Sequence, residues 1–177
     1  EAWAGAKDGT NEMGPFRRFI WNTIKDRADA YRTDKAKYLR RYRELLDTIA
    51  PTLRQVKIAA PELGYTFGYD KGGMGKVELL HAILHTGNAG NKKKLLLGRS
   101  WATVQEDGTI DTSRWDAFVA RMIKEGTLTR ADFDFAQGVW DLLEEMKPAA
   151  QKAHRDVFGR YFDEVTADPF KVNLDGK

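Results

Sequence analysis

From Phe16 to Ile49 the apolar residues Phe16, Phe19, Ile20, Ile24, Ala28, Tyr31, Tyr38, Tyr42, Leu45, Leu46 and Ile49 recur at spacings of mostly three and four. That is the period of an amphipathic α-helix, and it is incompatible with a half-buried strand, in which apolar residues alternate. Pro51 ends the run, because its ring disfavours helical backbone in the residue before it. A helix this long is unusual in a globular domain, so a kink is expected near Thr33–Asp34.

The remainder keeps the helical period. A short helical piece is expected from Leu53 to Ala59, then a loop over 61–75, which holds five glycines. A helix follows from about Met74 to Thr86 and stops at Gly87; a shorter one spans Asn91 to Leu97 and stops at Gly98. Asp107-Gly108 between Val104 and Ile110 is a two-residue hairpin signal. Asp111 or Thr112 then caps a helix with Trp115, Phe118, Val119, Met122 and Ile123 on its inner stripe. Thr129 opens another, with Phe133, Ala136, Val139, Trp140, Leu143 and Met146 inward, and Pro148 suits the first turn of a last helix reaching about Val165. The expected fold is all-α: a multi-helix bundle with a long N-terminal helix and one short β-hairpin near 103–111. Residues 1–15 read as a loose lead-in, 16–170 as a single helical domain and 171–177 as a tail.

Composition narrows the chemistry. The chain of 177 residues has no cysteine, so disulfides, thiolate metal sites and thiol nucleophiles are excluded. No stretch approaches the roughly 18 apolar residues of a membrane span, and no secretion signal opens the chain. It begins at Glu1 rather than Met and reads as a segment of a longer protein. The net charge of +3 is uneven: residues 16–57 carry 12 Lys/Arg against 5 Asp/Glu, and residues 100–177 carry 10 against 15. A basic end on an acidic body points to an anionic partner or to an internal charge match.

The candidate site lies in residues 78–98. Glu78, His81 and His85 fall on one helical face, the spacing at which side chains share a ligand. His at i and i+4 is the zinc-helix spacing, but Ala82 stands where a metalloprotease has its glutamate, and His154 lacks the carboxylate partner of a di-iron motif. His81, His85 and His154 are the candidate metal ligands. Gly72-Gly73-Met74-Gly75-Lys76 has a glycine–lysine pair, but Asp70 and Val77 occupy the positions where a Walker loop needs glycine and hydroxyl. A helix N-terminus behind glycines still offers N–H groups to an anion. Asn88 and Asn91 suit capping of the turn between two helices. Lys92, Lys93 and Lys94 are expected in the first turn of the second helix, where the dipole disfavours cations, which hints at an external anion. The basic residues of the N-terminal helix, interleaved with Trp21, Tyr31, Tyr38 and Tyr42, offer a path for a nucleic-acid backbone. Ser100 and Ser113 are the only serines and neither sits in a nucleophile elbow.

The strings His81-Ala82-Ile83-Leu84-His85-Thr86-Gly87-Asn88-Ala89-Gly90-Asn91-Lys92-Lys93-Lys94-Leu95-Leu96-Leu97-Gly98 and His154 to Phe170 resemble a helical module of the large polyvalent proteins of tailed phages and conjugative elements. The resemblance covers roughly residues 75–170. It implies a domain embedded in a long chain, packaged in the virion or delivered to the host cytoplasm, and it implies no catalytic activity.

The leading expectation is a non-catalytic binding or scaffolding domain without a cofactor, using Glu78, His81, His85, Asn88, Asn91 and Lys92–Lys94. Its partners would be other domains of the parent or other proteins. Two alternatives stand beside it: a metal- or phosphate-dependent enzyme centred on Glu78, His81 and His85, and a sequence-independent nucleic-acid-binding module.

Overall fold

A computed structural model describes residues 14, 17–54, 57–64, 74–164, 167, 170–172 and 174. The chain is all-α apart from one small hairpin. One π-turn, Arg17–Trp21, leads into α1 (Asn22–Ile49), followed by 3-10 turns at Ala50–Thr52 and Pro61–Leu63. Then come α2 (Lys76–His85), α3 (Ala89–Gly98), β1 (Thr103–Val104), β2 (Ile110–Asp111), α4 (Ser113–Lys124) and α5 (Arg130–Phe158). Among the described residues no helix is long and apolar enough to cross a membrane.

The chain divides into two compact units, residues 1–43 and 44–177. The described part of the first is Gly14, the π-turn and α1 up to Arg43. From Arg17 on it is helical, with no break at Thr33–Asp34, because no Pro or Gly interrupts Asn22–Ile49. Its apolar stripe is not the buried one that the period suggests: Ile24, Tyr31 and Tyr42 are exposed.

The second unit holds the core. It contains the end of α1, where Leu45 and Leu46 become half-buried and Ile49 is fully buried. Leu79, Leu80, Ala82 and Ile83 from α2 and Leu96 from α3 pack with Trp115, Phe118 and Met122 from α4 and Phe135 and Ala136 from α5. Trp101 stacks parallel on Trp115, centroids 5.4 Å apart. Leu45 lies against α5 at Gly138, where an added Cβ would stand 2.5 Å from Leu45 Cδ2, so the close helix approach needs glycine.

Several boundaries differ from the sequence expectation. The described residues of 53–59 are not helical; Ile58 instead exchanges two backbone hydrogen bonds with Met74, each 2.8 Å, in an isolated antiparallel bridge. The hairpin pairs Val104 with Ile110 and Thr103 with Asp111, as the turn signal implies. Its loop is longer than two residues, however, because Gln105 N–H bonds Thr109 O and Gly108 takes φ +82°. Pro148 starts no helix. α5 runs through it, with Lys147 on the turn before held by Glu144 and Glu164, and ends at Gly159, whose φ of +74° is a left-handed stop. The inward stripe of α5 turns with it, so Phe135 and Leu142 are buried while Leu143 and Met146 are exposed.

Candidate binding cleft

The turn from α2 to α3 brings the sequence-predicted residues to the surface in different ways. Glu78 closes the start of its own helix: Gly75 N–H donates to Glu78 Oε2 at 2.8 Å. That carboxylate occupies the place at the helix N-terminus where an anion would bind. The lysine of the glycine–lysine pair is likewise committed. Lys76 is buried, its Nζ 2.8 Å from Asp132 Oδ2 and also donating to Thr127 O. Gly72 and Gly73 lie outside the described residues. Neither described half of the phosphate-loop reading therefore faces outward.

His81 is exposed and His85 half-buried, their rings edge to face at 4.3 Å. His85 Nδ1–H donates to His81 O at 2.9 Å, which ties the second ring to the backbone of its own helix. His154 belongs elsewhere: its Nδ1–H donates to Arg160 O at 2.7 Å, and its ring packs on Phe158 and Phe162. Among the described residues no three His, Asp or Glu side chains gather closely enough to share an ion.

Asn88, not Asn91, caps α3: its Oδ1 accepts the Asn91 N–H at 2.9 Å. The helix thus starts at Ala89, and Lys92 is its fourth residue rather than its second. The lysines leave the region where the dipole opposes them, and the inferred external anion loses that argument. They also diverge around the helix. Lys94 faces one hollow, Lys92 another, beside Asp116, and Lys93 is exposed.

Asn88, Asn91 and Lys94 do meet in one place. They form one wall of a cleft of about 800 Å³, whose other walls are α5 and the segment that returns after Gly159. Its apolar floor is Trp140, Phe162 and Phe170, with the Trp140 and Phe170 rings edge to face at 6.0 Å. Trp140 Nε1 donates to Leu84 O at 3.1 Å, so the indole bridges α5 and α2. Gly87 makes room for it, since a Cβ there would lie 2.5 Å from Trp140 Cζ2. The returning segment is pinned by buried Gln151, whose Oε1 accepts Phe162 N–H and whose Nε2 donates to Phe162 O, each at 2.9 Å. Lys147 bonds Glu144 at 2.6 Å and Glu164 at 3.3 Å; the Glu144 carboxylate raises its pKa and keeps it charged. Asp141 and Asp163 complete an acidic rim.

The sequence reading missed Trp140, Gln151, Phe162 and Phe170 as site residues. Trp140 was assigned to the core stripe, and Gln151 had no local signal. Glu78, His81, His85, Lys92 and Lys93 do not line this cleft. Comparison with known protein families, with curated proteins and with solved structures finds no match to this chain.

Proposed function

We propose that the chain is a non-catalytic helical binding or scaffolding domain of a phage or mobile-element multidomain protein, and that it takes its partner in the cleft between α3, α5 and the returning segment. The observation that carries this reading is the cleft: an aromatic floor of Trp140, Phe162 and Phe170 beneath Asn88, Asn91, Lys94 and acidic groups. Its volume falls in the usual range of ligand sites, roughly 300–1,000 Å³, and it pairs apolar surface with a few polar groups. Such a site suits an apolar or aromatic anchor side chain on a partner segment whose main chain bonds to the rim. The likeness of 81–98 and 154–170 to the phage modules supports the setting, because both strings contribute residues to the cleft.

The reading is tested by selecting displayed random peptides on the full chain and measuring their affinity for Trp140→Ala, with unfolding followed in parallel. Selected peptides that bind the folded variant at least about tenfold more weakly support it. Peptides indifferent to Trp140, or a selection that enriches none, refute it.

A further inference from the structure

The exposed part of α1 carries a more regular pattern than simple amphipathicity. Ile24, Ala28, Tyr31, Lys35, Tyr38 and Tyr42 follow one another at intervals of four and three without a slip, and the series continues into Leu45 and Ile49. This is the heptad spacing of a coiled-coil seam, sustained for more than three repeats. At its C-terminal end the seam is satisfied, with Ile49 only 1% exposed. Further out Ile24 is 58%, Tyr31 66% and Tyr42 40% exposed, and neighbouring Leu39 is 47%. One stripe is therefore core at one end, while further out Ala28 and Tyr38 are half-buried and Ile24, Tyr31, Lys35 and Tyr42 stay exposed.

The charges beside the seam select what would cover it. The positions directly flanking its outer part hold Lys25, Arg27, Arg32 and Arg41 against the single acid Asp34. The other four acids of the helix, Asp26, Asp29, Glu44 and Asp47, lie away from the seam. Arg32 also meets Asp29 at 3.2 Å, an exposed pair one turn apart that contributes little. A second copy is a poor occupant: parallel pairing would stack Lys35 on itself inside the seam and set Arg27 against Arg32. A lipid surface wants a broad apolar face, whereas this seam is narrow and carries Lys35 in its middle. Nucleic acid would match the basic flanks and leave the apolar seam in water.

We propose that the outer seam of α1 is a coiled-coil docking surface, and that its occupant is an acidic amphipathic helix of a partner protein. Apolar side chains of that helix cover Ile24, Tyr31 and Tyr42. Its flanking carboxylates meet Lys25, Arg27 and Arg32, and a carboxylate facing Lys35 sets the register. None of these side chains lines the cleft, so Trp140 variants leave the seam residues unchanged.

The probe is a labelled synthetic helix of about four heptads with Leu along its seam and Glu at the flanks, compared with the same helix bearing Lys at the flanks. Binding to the full chain is read by fluorescence anisotropy, and the chain's own oligomeric state by sedimentation. The Glu-flanked helix is expected to bind at least about tenfold more tightly than the Lys-flanked one, and to weaken as salt rises. Ile24→Asp and Tyr31→Asp should each weaken it by at least about tenfold while leaving the unfolding midpoint in place, since both side chains are exposed. Arg27→Glu combined with Arg32→Glu should reverse the preference toward the Lys-flanked helix, a change that loss of structure would not produce. Equal binding of the two helices, indifference to the seam variants, or self-association abolished by the same substitutions would overturn the proposal. Binding of duplex DNA or anionic vesicles in place of the helix would do the same.

Discussion

Lys76→Met should be among the most damaging single changes in the second unit. Lys76 and Asp132 are 5% and 1% exposed, and their charged atoms are 2.8 Å apart. Asp132 Oδ2 also accepts the Thr129 N–H at 2.7 Å and its hydroxyl at 2.9 Å, so one carboxylate closes the start of α5 and anchors α2 to it. Its other oxygen, Oδ1, is buried with no hydrogen-bond partner among the described residues, so the ammonium is what compensates the charge. Methionine fills a similar volume without the ammonium and leaves that carboxylate with neutral donors only. Removing one partner of a buried pair costs about 3–5 kcal/mol, against a total of roughly 5–15 for a domain. At about 2–4 °C per kcal/mol for a chain of this size, the midpoint falls by roughly 6–20 °C. Adding Asp132→Asn to Lys76→Met should recover much of the loss, because an amide still accepts the Thr129 N–H and carries no charge. Thermal and urea unfolding of the four proteins in the cycle, followed by far-UV circular dichroism, measures the coupling. A cost below about 1 kcal/mol for Lys76→Met, with the double variant no better than the single, would refute the argument.

Gly87→Ala should cost about 1–3 kcal/mol, because its Cβ would displace Trp140 and break the bond to Leu84 O; an unchanged urea midpoint would contradict the packing of the cleft floor. Pro148→Ala should stabilise the chain by up to about 3 kcal/mol, since the helix interior regains an N–H for the Glu144 carbonyl; no gain would place Pro148 in a first helical turn instead. The Arg121 hydrogen bond holds Glu62 below its usual pKa of 4.5. The stability it supplies is therefore full above about that pH and is lost as pH falls through the lowered value. Glu62→Gln should be less stable than the native chain at neutral pH, with the gap closing in acid. A gap constant with pH would show that the carboxylate's charge is not what matters.

What the sequence made legible follows from what periodicity and punctuation can encode. Helical spacing and the glycines at 87, 98 and 126 set the rough limits of the first three helices after residue 75, and Asp107-Gly108 marked the hairpin, whereas the expected last helix from Pro148 to about Val165 is the end of α5, which stops at Gly159. Thr129 with Asp132 three residues on is a readable capping box, yet nothing local says that Lys76, 56 residues away, completes it. The same lysine, taken with Gly75, imitated a phosphate loop; only the tertiary contact shows where its charge goes. Starting α3 at Asn91 rather than at Ala89 shifted the lysines into a first turn they do not occupy, and an argument about an anion rested on that shift. Pro148 misled because proline resembles a start signal at any position where the helix is already established.

The candidate site was half visible for a related reason. Asn88, Asn91 and Lys94 stood out as polar groups beyond the needs of a bundle, whereas Trp140 and Phe162 looked like ordinary core, and a cleft needs both. Apolar spacing states that a face will be covered, without stating by what. A stripe that packs on its own chain and one that packs on another are written in the same residues; exposure separates them. On α1 the separation occurs within one helix, between Tyr42 at 40% exposed and Ile49 at 1%. Burying the outer seam would recover free energy comparable to that of a core stripe, about 25 cal/mol for each Å² of apolar surface removed from water. The chain maintains the heptad, and keeps basic groups beside it, over turns where Ile24, Tyr31 and Tyr42 stay exposed. On the proposed docking, a partner helix supplies the burial that these side chains lack in the chain alone.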